Sequence, residues 1–153
     1  MNVLVVGCGK VGSRLARLLA QRGHNVSVID REEDMFSQLG EDFDGVTVTG
    51  MPMDMDVLRN AGVEWCDAVA VVTPDDNLNI TISQIVKTFF QVENVVTRIS
   101  DPAREIGVPS VRAILCLFYQ FGSQLALYDF NTAYRRKADY LFQTLPLRLM
   151  PGR

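Results

Sequence analysis

Apolar residues fall along this chain in two alternating rhythms: short unbroken runs, and longer stretches in which they recur every three or four positions. The run at 3–6 (Val-Leu-Val-Val) has no polar break, as expected of a strand covered on both faces. Val11, Leu15, Leu18 and Leu19 then share one helical face that continues to Arg22, and Gly23 stands where helices commonly end. Residues 26–30 predict a second strand, Met35, Phe36 and Leu39 a short helix, 46–49 a third strand, and 54–61 a short helix stopping at Gly62. The run at 68–73 (Ala-Val-Ala-Val-Val-Thr) is a fourth strand. Pro74-Asp75-Asp76 opens a long helix, because an Asp side chain caps the first turn and negative charge suits its positive end. Leu78, Ile82, Ile85, Val86, Phe89 and Phe90 lie along one side of it. Residues 95–99 predict a fifth strand, and Asp101-Pro102 a further helix start. Five strands alternating with helices predict an α/β fold, a doubly wound parallel sheet with helices on both faces and right-handed crossovers.

Beyond Glu105 the rhythm blurs. Residues 113–119 fit a sixth strand or the first turns of a helix, which periodicity does not separate in so short a run. Residues 131–142 read as a polar helix with Arg135, Arg136 and Lys137 exposed, and 146–151 as a frayed end.

The 153 residues suit one domain, and 48% apolar with 22% charged residues exclude a disordered chain. A net charge of −3 argues against general affinity for nucleic acid. The charge is unevenly placed: residues 1–103 carry 8 Lys/Arg against 15 Asp/Glu, and residues 104–153 carry 7 against 3. The chain thus divides into an acidic unit, 1–103, and a basic, aromatic segment, 104–153, that either completes the fold or forms an oligomer interface. Cys8, Cys66 and Cys116 are scattered, with no CxxC, as in buried thiols of a reducing compartment. No leader is read in Met1-Asn2-Val3, and the longest apolar run, 113–119, falls well short of the ~20 residues of a membrane span. A cytoplasmic protein without direct membrane insertion is expected.

The chemistry gathers at the first loop. Gly7-Cys8-Gly9-Lys10-Val11-Gly12 follows a strand, opens a helix, and is followed 18 residues later by Asp30 at the end of the next strand. That is the spacing of a dinucleotide-binding βαβ unit. Gly7 permits the tight turn, Gly9 the approach of a pyrophosphate, and Gly12 close packing of helix on strand. The helix start offers N–H groups and partial positive charge to phosphates, Lys10 a full charge, and Asp30 an acceptor for ribose hydroxyls. The Walker A pattern is missing, which excludes P-loop phosphoryl transfer.

Several further stretches carry a resemblance. Arg14-Leu15-Ala16, Arg22-Gly23-His24, Val28-Ile29-Asp30-Arg31, the run 57–63, Val72-Thr73-Pro74-Asp75-Asp76 with Asn79-Ile80, and Thr97-Arg98-Ile99-Ser100-Asp101-Pro102 stand in the order found in the TrkA-N domain. Residues 1–103 resemble that domain, the nucleotide-binding half of RCK/KTN regulators of potassium channels and transporters. The resemblance implies a Rossmann-like fold that binds NAD(H) or AMP, ADP or ATP and passes the ligand state to a membrane potassium transporter or channel. It implies that Thr73 and Asn79 edge the crevice and that Arg98 contacts phosphate in cis or across a dimer. The family usually has Gly-Asp after the third strand, with the Asp near the adenine amino group; this chain has Gly50-Met51, then Pro52-Met53. Met51 offers a polarizable sulfur to the ring and no carboxylate, so adenine selectivity is loosened.

Catalysis finds little support: the single His24 sits in a helix-to-strand turn, and no Ser-His-Asp or Cys-His set is available. Asp54 and Asp56 read as an N-cap pair. The expectation is a regulatory subunit, not an enzyme, forming a homodimer or higher oligomer through the apolar stretch 114–130. Two rivals share the βαβ unit: an NAD-dependent oxidoreductase fragment, which would need a substrate domain, and a stand-alone nucleotide-binding module with a non-channel partner.

Overall fold

The computed structural model describes residues 1–100, 112–117 and 126–129. Its elements follow the sequence rhythm closely: β1 (Asn2–Val6), α1 (Lys10–Gln21), β2 (Asn25–Asp30), β3 (Val46–Thr49), α2 (Met55–Asn60), β4 (Ala68–Val71), α3 (Asp76–Thr88), β5 (Asn94–Ile99), β6 (Arg112–Leu117) and β7 (Ala126–Asp129). They form one sheet in the order β3-β2-β1-β4-β5-β6-β7. Strands β1 to β6 run parallel, and β7 returns antiparallel on β6.

The unbroken apolar runs serve two faces at once. Val3, Val5, Val26, Val28, Ala68 and Ala70 point to one side, where Leu15, Ala16 and Leu19 of α1 cover them. Leu4, Val6, Ile29, Val69, Val71 and Val95 point to the other, under Leu58 of α2 and Ile82 and Val86 of α3. Alternate side chains leave a strand on opposite faces, so a strand buried on both must be apolar at every position. The doubly wound α/β architecture expected from the alternation is therefore present.

Three local readings sharpen. The short helix expected around Met35, Phe36 and Leu39 forms as a 3-10 helix, Glu33–Leu39. Only Leu39 there is fully buried, with Met35 and Phe36 packed at the edge of the core, and the three-residue step from Phe36 to Leu39 suits the tighter winding. The ambiguous run at 113–119 resolves as strand over Arg112–Leu117, pairing Val96–Ile99 on one side and the 126–129 strand on the other. The fourth strand ends at Val71, although Val72 still donates its N–H to the Val6 carbonyl at 2.8 Å. Asp54 and Asp75 cap α2 and α3 as expected, accepting from Asp56 N–H and from Asn77 and Leu78 N–H. The helix starts at Asp101-Pro102 and 131–142, and the stretch 146–151, lie outside the described residues.

Candidate functional site

Strand order reverses between β1 and β4, and open parallel sheets bind ligands beyond the carboxyl ends of strands at such a point. The loop 7–12 occupies this place. Gly7 has φ +99°, which a residue with a Cβ rarely adopts, and donates its N–H to the Ile29 carbonyl at 2.8 Å. A Cβ on it would stand 3.0 Å from the Thr73 nitrogen, so Gly7 is wedged between the ends of β2 and β4. A Cβ on Gly12 would overlap the Gly7 carbonyl oxygen, which is what brings α1 down onto the loop. Gly9 differs from both. A Cβ there would meet nothing within 4 Å, so this stretch of backbone lies open to approach.

Helix α1 starts at Lys10 with Gly9 as its N-cap, no side chain capping it and no acid in its first turn. The first N–H groups of a helix have no partner inside it, and the positive end of the helix dipole points the same way. This arrangement attracts an anion. Lys10 is exposed beside it, while Val11 is buried and anchors the turn.

Cys8 is fully buried, its N–H donating to Asp30 Oδ2 at 2.6 Å and its thiol to the Met35 carbonyl at 3.4 Å. Burial, and after it the Asp30 carboxylate, pushes the Cys8 thiol up to about 11. It stays protonated at neutral pH and behaves as a small packing group rather than a nucleophile. Asp30 Oδ1 also accepts the Glu32 N–H at 3.0 Å. The carboxylate therefore clasps the glycine loop to the end of β2, a role that spacing alone did not reveal. Two oxygens have about four lone-pair sites, so capacity remains for ribose hydroxyl donors. Next to it, Arg31 pairs with Glu32 at 3.2 Å on the surface. Gly50 N–H donates to the Asp30 carbonyl at 2.9 Å, tying the end of β3 to the end of β2, and Met51 is 44% exposed beyond it.

On the far side of the crevice the side chains face inward. Asn79 is fully buried, its Oδ1 accepting from the Thr73 N–H at 3.0 Å and from the Thr73 hydroxyl. Its amide nitrogen donates to the Thr73 carbonyl at 2.9 Å and to the Arg98 carbonyl at 3.0 Å. Both N–H groups of the amide are committed, so Asn79 braces the ends of β4 and β5 and has no donor left for a ligand. Asn79 thus stands at the crevice edge as a brace between strand ends. Thr73, also buried, shares the same brace, its hydroxyl further accepting from the Asp75 N–H at 3.3 Å. Arg98 Nη1 donates to the Thr73 carbonyl at 3.3 Å, which brings its guanidinium to the same strand end. The structure thus gathers Gly7, Cys8, Gly9, Lys10, Val11, Gly12, Asp30, Arg31, Gly50 and Met51 on one side of the crevice, with Thr73, Asn79 and Arg98 bracing the other.

Among the described residues no group of three His, Cys, Asp or Glu could hold a metal ion, and no helix is long and apolar enough to cross a membrane. A surface depression of about 390 Å³ lies at the amino ends of the strands, lined in part by Asn2, His24, Asp44 and Trp65. It is at the opposite end of the sheet from the glycine loop. Trp65 there is 77% exposed.

Comparison with known proteins follows the same lines. The family model described as the TrkA-N domain matches residues 3–115. The Trk system potassium uptake protein TrkA of Streptomyces coelicolor is 44% identical over 119 residues, covering 74% of this chain and 53% of that protein. The protein of that name from Mycobacterium tuberculosis H37Rv is 32% identical over 159 residues, covering 95% of this chain and 70% of its own length. The chain spans about half the length of the first of these relatives. Among solved structures, the TrkA-N domain of inner membrane protein ybaL from Escherichia coli superposes with TM-score 0.63 at 17% identity, covering 94% of this chain and 96% of that one. The Kef CTD of Shewanella denitrificans in AMP bound form gives TM-score 0.63 at 19% identity, covering 74% and 71%. The GsuK channel bound to NAD gives 0.57 at 23%, covering 66% of this chain and 18% of that one.

Proposed function

This chain belongs to the TrkA-N domain family, and from that premise we propose that it is the nucleotide-binding unit of a regulatory subunit for a potassium uptake or channel system. The ligand is NAD(H) or an adenine nucleotide. One observation carries the reading: the uncapped start of α1 meets the open backbone at Gly9, with the Asp30 carboxylate at the neighbouring strand end. Phosphates would lie against the N–H groups at Gly9, Lys10 and Val11, and ribose hydroxyls would donate to Asp30. The relatives named as potassium uptake proteins support regulation over hydride transfer, and the neighbours bound to AMP and NAD support the ligand class. A nucleotide held at the ends of β1 and β2 can pass on a signal only by binding one conformation of the protein more tightly than another. The readout is a membrane potassium transporter or channel reached from the cytoplasm, and the working unit is a homodimer or higher oligomer.

Titration calorimetry tests the ligand. A carboxylate at the end of β2 accepts from a free 2′-hydroxyl and repels a 2′-phosphate, so NAD(H), AMP, ADP or ATP should bind and NADP(H) much more weakly. A hydrogen bond to a charged group contributes about 1.5–3 kcal/mol, so Asp30→Ala should weaken NAD roughly ten- to a hundredfold and narrow the gap to NADP. Equal affinity for NAD and NADP in the wild type would remove Asp30 from the site. For the partner, the tagged chain should bring down a membrane potassium transporter or channel subunit from solubilised membranes of its own organism. Recovery of soluble proteins alone would favour the stand-alone module instead.

A further inference from the structure

Helix α2 is too short for the strands it covers. Its six residues rise about 9 Å, whereas the six extended residues of β2 run about 20 Å. It starts from the carboxyl end of β3, so it stops short of the amino ends on its face of the sheet. Val48 packs into the core on that face, while Val46, two residues earlier on the same side, is 55% exposed. Ser27, which pairs with Val46, and the Asn25–Asn2 side-chain bond at 2.9 Å form a polar floor beside it. Across from them the chain leaving α2 turns at Gly62 and presents the largely exposed Trp65. These residues line the depression at the amino edge, together with one carboxylate, the exposed Asp44, and no Lys or Arg. Asp67, two residues past Trp65, is exposed as well and accepts the Asn2 N–H at 2.7 Å. Arg59, the cation nearest to Trp65 in sequence, is paired with Asp56 at 3.1 Å and Glu64 at 3.4 Å.

From this, which rests on the potassium-system reading above, we propose that the amino edge docks a cationic cytoplasmic loop of the membrane partner. An Arg or Lys of the loop lies over the Trp65 ring near Asp44, and an apolar neighbour lies against Val46. An exposed indole face attracts a cation, and a guanidinium also stacks on it. A large aromatic side chain set in a depression with a bare aliphatic one beside it is the usual centre of a protein interface. Charge then selects the occupant, because the cytoplasmic loops of membrane proteins carry an excess of Lys and Arg. Strand β1 joins this edge to the nucleotide crevice: Asn2 lines the depression, and Val6 ends at the glycine loop. Loop and nucleotide therefore occupy opposite ends of one strand and do not compete for space.

Two measurements on the full chain decide the matter. In calorimetry, an octapeptide alternating arginine with leucine should bind, and its glutamate counterpart should not. Trp65→Ala and Asp44→Asn, both at exposed positions, should each weaken the arginine peptide at least about threefold, the size of one cation–π or exposed charge contact. The Trp65 carbonyl that accepts from Asn2 Nδ2 stays in every variant, so melting curves should match the wild type. In the second measurement, the tagged double variant should recover at least roughly fivefold less membrane potassium subunit from solubilised membranes than the wild type. Equal binding of the two peptides, or variants that hold the arginine peptide as well as the wild type does, would overturn the proposal. So would undiminished recovery of the subunit by the double variant, an outcome that leaves the potassium-system reading standing. A wild-type dimer that the double variant dissociates would assign the edge to a second copy and likewise overturn it. Failure of the wild type itself to recover such a subunit would overturn that reading, and this proposal with it.

Discussion

Gly12→Ala should destabilise the protein by about 3 kcal/mol, the upper end of overpacking penalties. The added methyl would overlap the Gly7 carbonyl oxygen, a backbone atom that cannot rotate away. Gly7 in turn is held by its N–H bond to Ile29 and by contact with Thr73, so neither side of the clash can yield without disturbing β2 or β4. Helix α1 would have to lift, loosening Leu15, Ala16 and Leu19 from the sheet. For a chain of this length that loss corresponds to a melting temperature lower by roughly 6–12 °C. Gly9→Ala is the control, because its methyl enters open space: melting should change little while every nucleotide binds less well. Thermal and denaturant unfolding of both variants is the measurement. A Gly12→Ala protein as stable as the wild type would mean that the close approach of helix and loop is not needed.

Asn79→Leu should cost about 3 kcal/mol, because the buried Thr73 N–H loses its partner at roughly 1–3 kcal/mol and the two bonds donated by the amide are lost with it. The Thr73 N–H is held by Asn79 Oδ1, whereas the Thr73 carbonyl keeps Arg98 Nη1. Leucine has the same branched four-atom side chain, so the loss reports hydrogen bonding and not a cavity. Asn79→Asp separates the two halves of the amide. The introduced carboxylate can still accept from the Thr73 N–H, but it faces the Thr73 and Arg98 carbonyls with no proton to give. Burial and those carbonyls favour its protonated form, so its native pKa is raised above the unfolded value. The native state then binds the extra proton, and the variant's stability falls as pH rises through that pKa. Melting curves of the wild type and both variants from pH 4 to 8 would show this. A loss in Asn79→Asp that does not shrink toward low pH would remove the amide's donor role.

Most of the fold was legible because its signals are local. A buried parallel strand must be apolar throughout, and residues 3–6 and 68–71 are; a helix with one covered face must repeat every three to four residues, as Val11, Leu15 and Leu19 do. The glycine loop was legible for the same reason, since Gly7 and Gly12 answer to neighbours a few residues or one strand away. What sequence spacing missed is tertiary. The bond from the Cys8 N–H to Asp30 joins positions 22 apart, and no pattern of residue types announces it. Asn79 had a signal that went unread: with Ile82, Ser83 and Val86 it lies on the buried stripe of α3, and a polar residue on such a stripe must find partners inside. The run at 113–119 stayed ambiguous because seven apolar residues fit either period. Pairing with β5 and β7, which the sequence does not encode locally, made Arg112–Leu117 a strand.

The sole tryptophan of the chain, Trp65, stands 77% exposed at the amino ends of the strands. Unfolding moves its indole from one watery environment to another, so its emission colour carries little of the folding transition, and the variants above are better followed by backbone circular dichroism. The nucleotide crevice opens at the other end of the sheet, so the same fluorophore is blind to ligand there. That blindness is useful. A change in its emission or in its quenching by acrylamide reports something covering the amino edge, and an optical titration at this one residue separates protein–protein contact from nucleotide occupancy without any label.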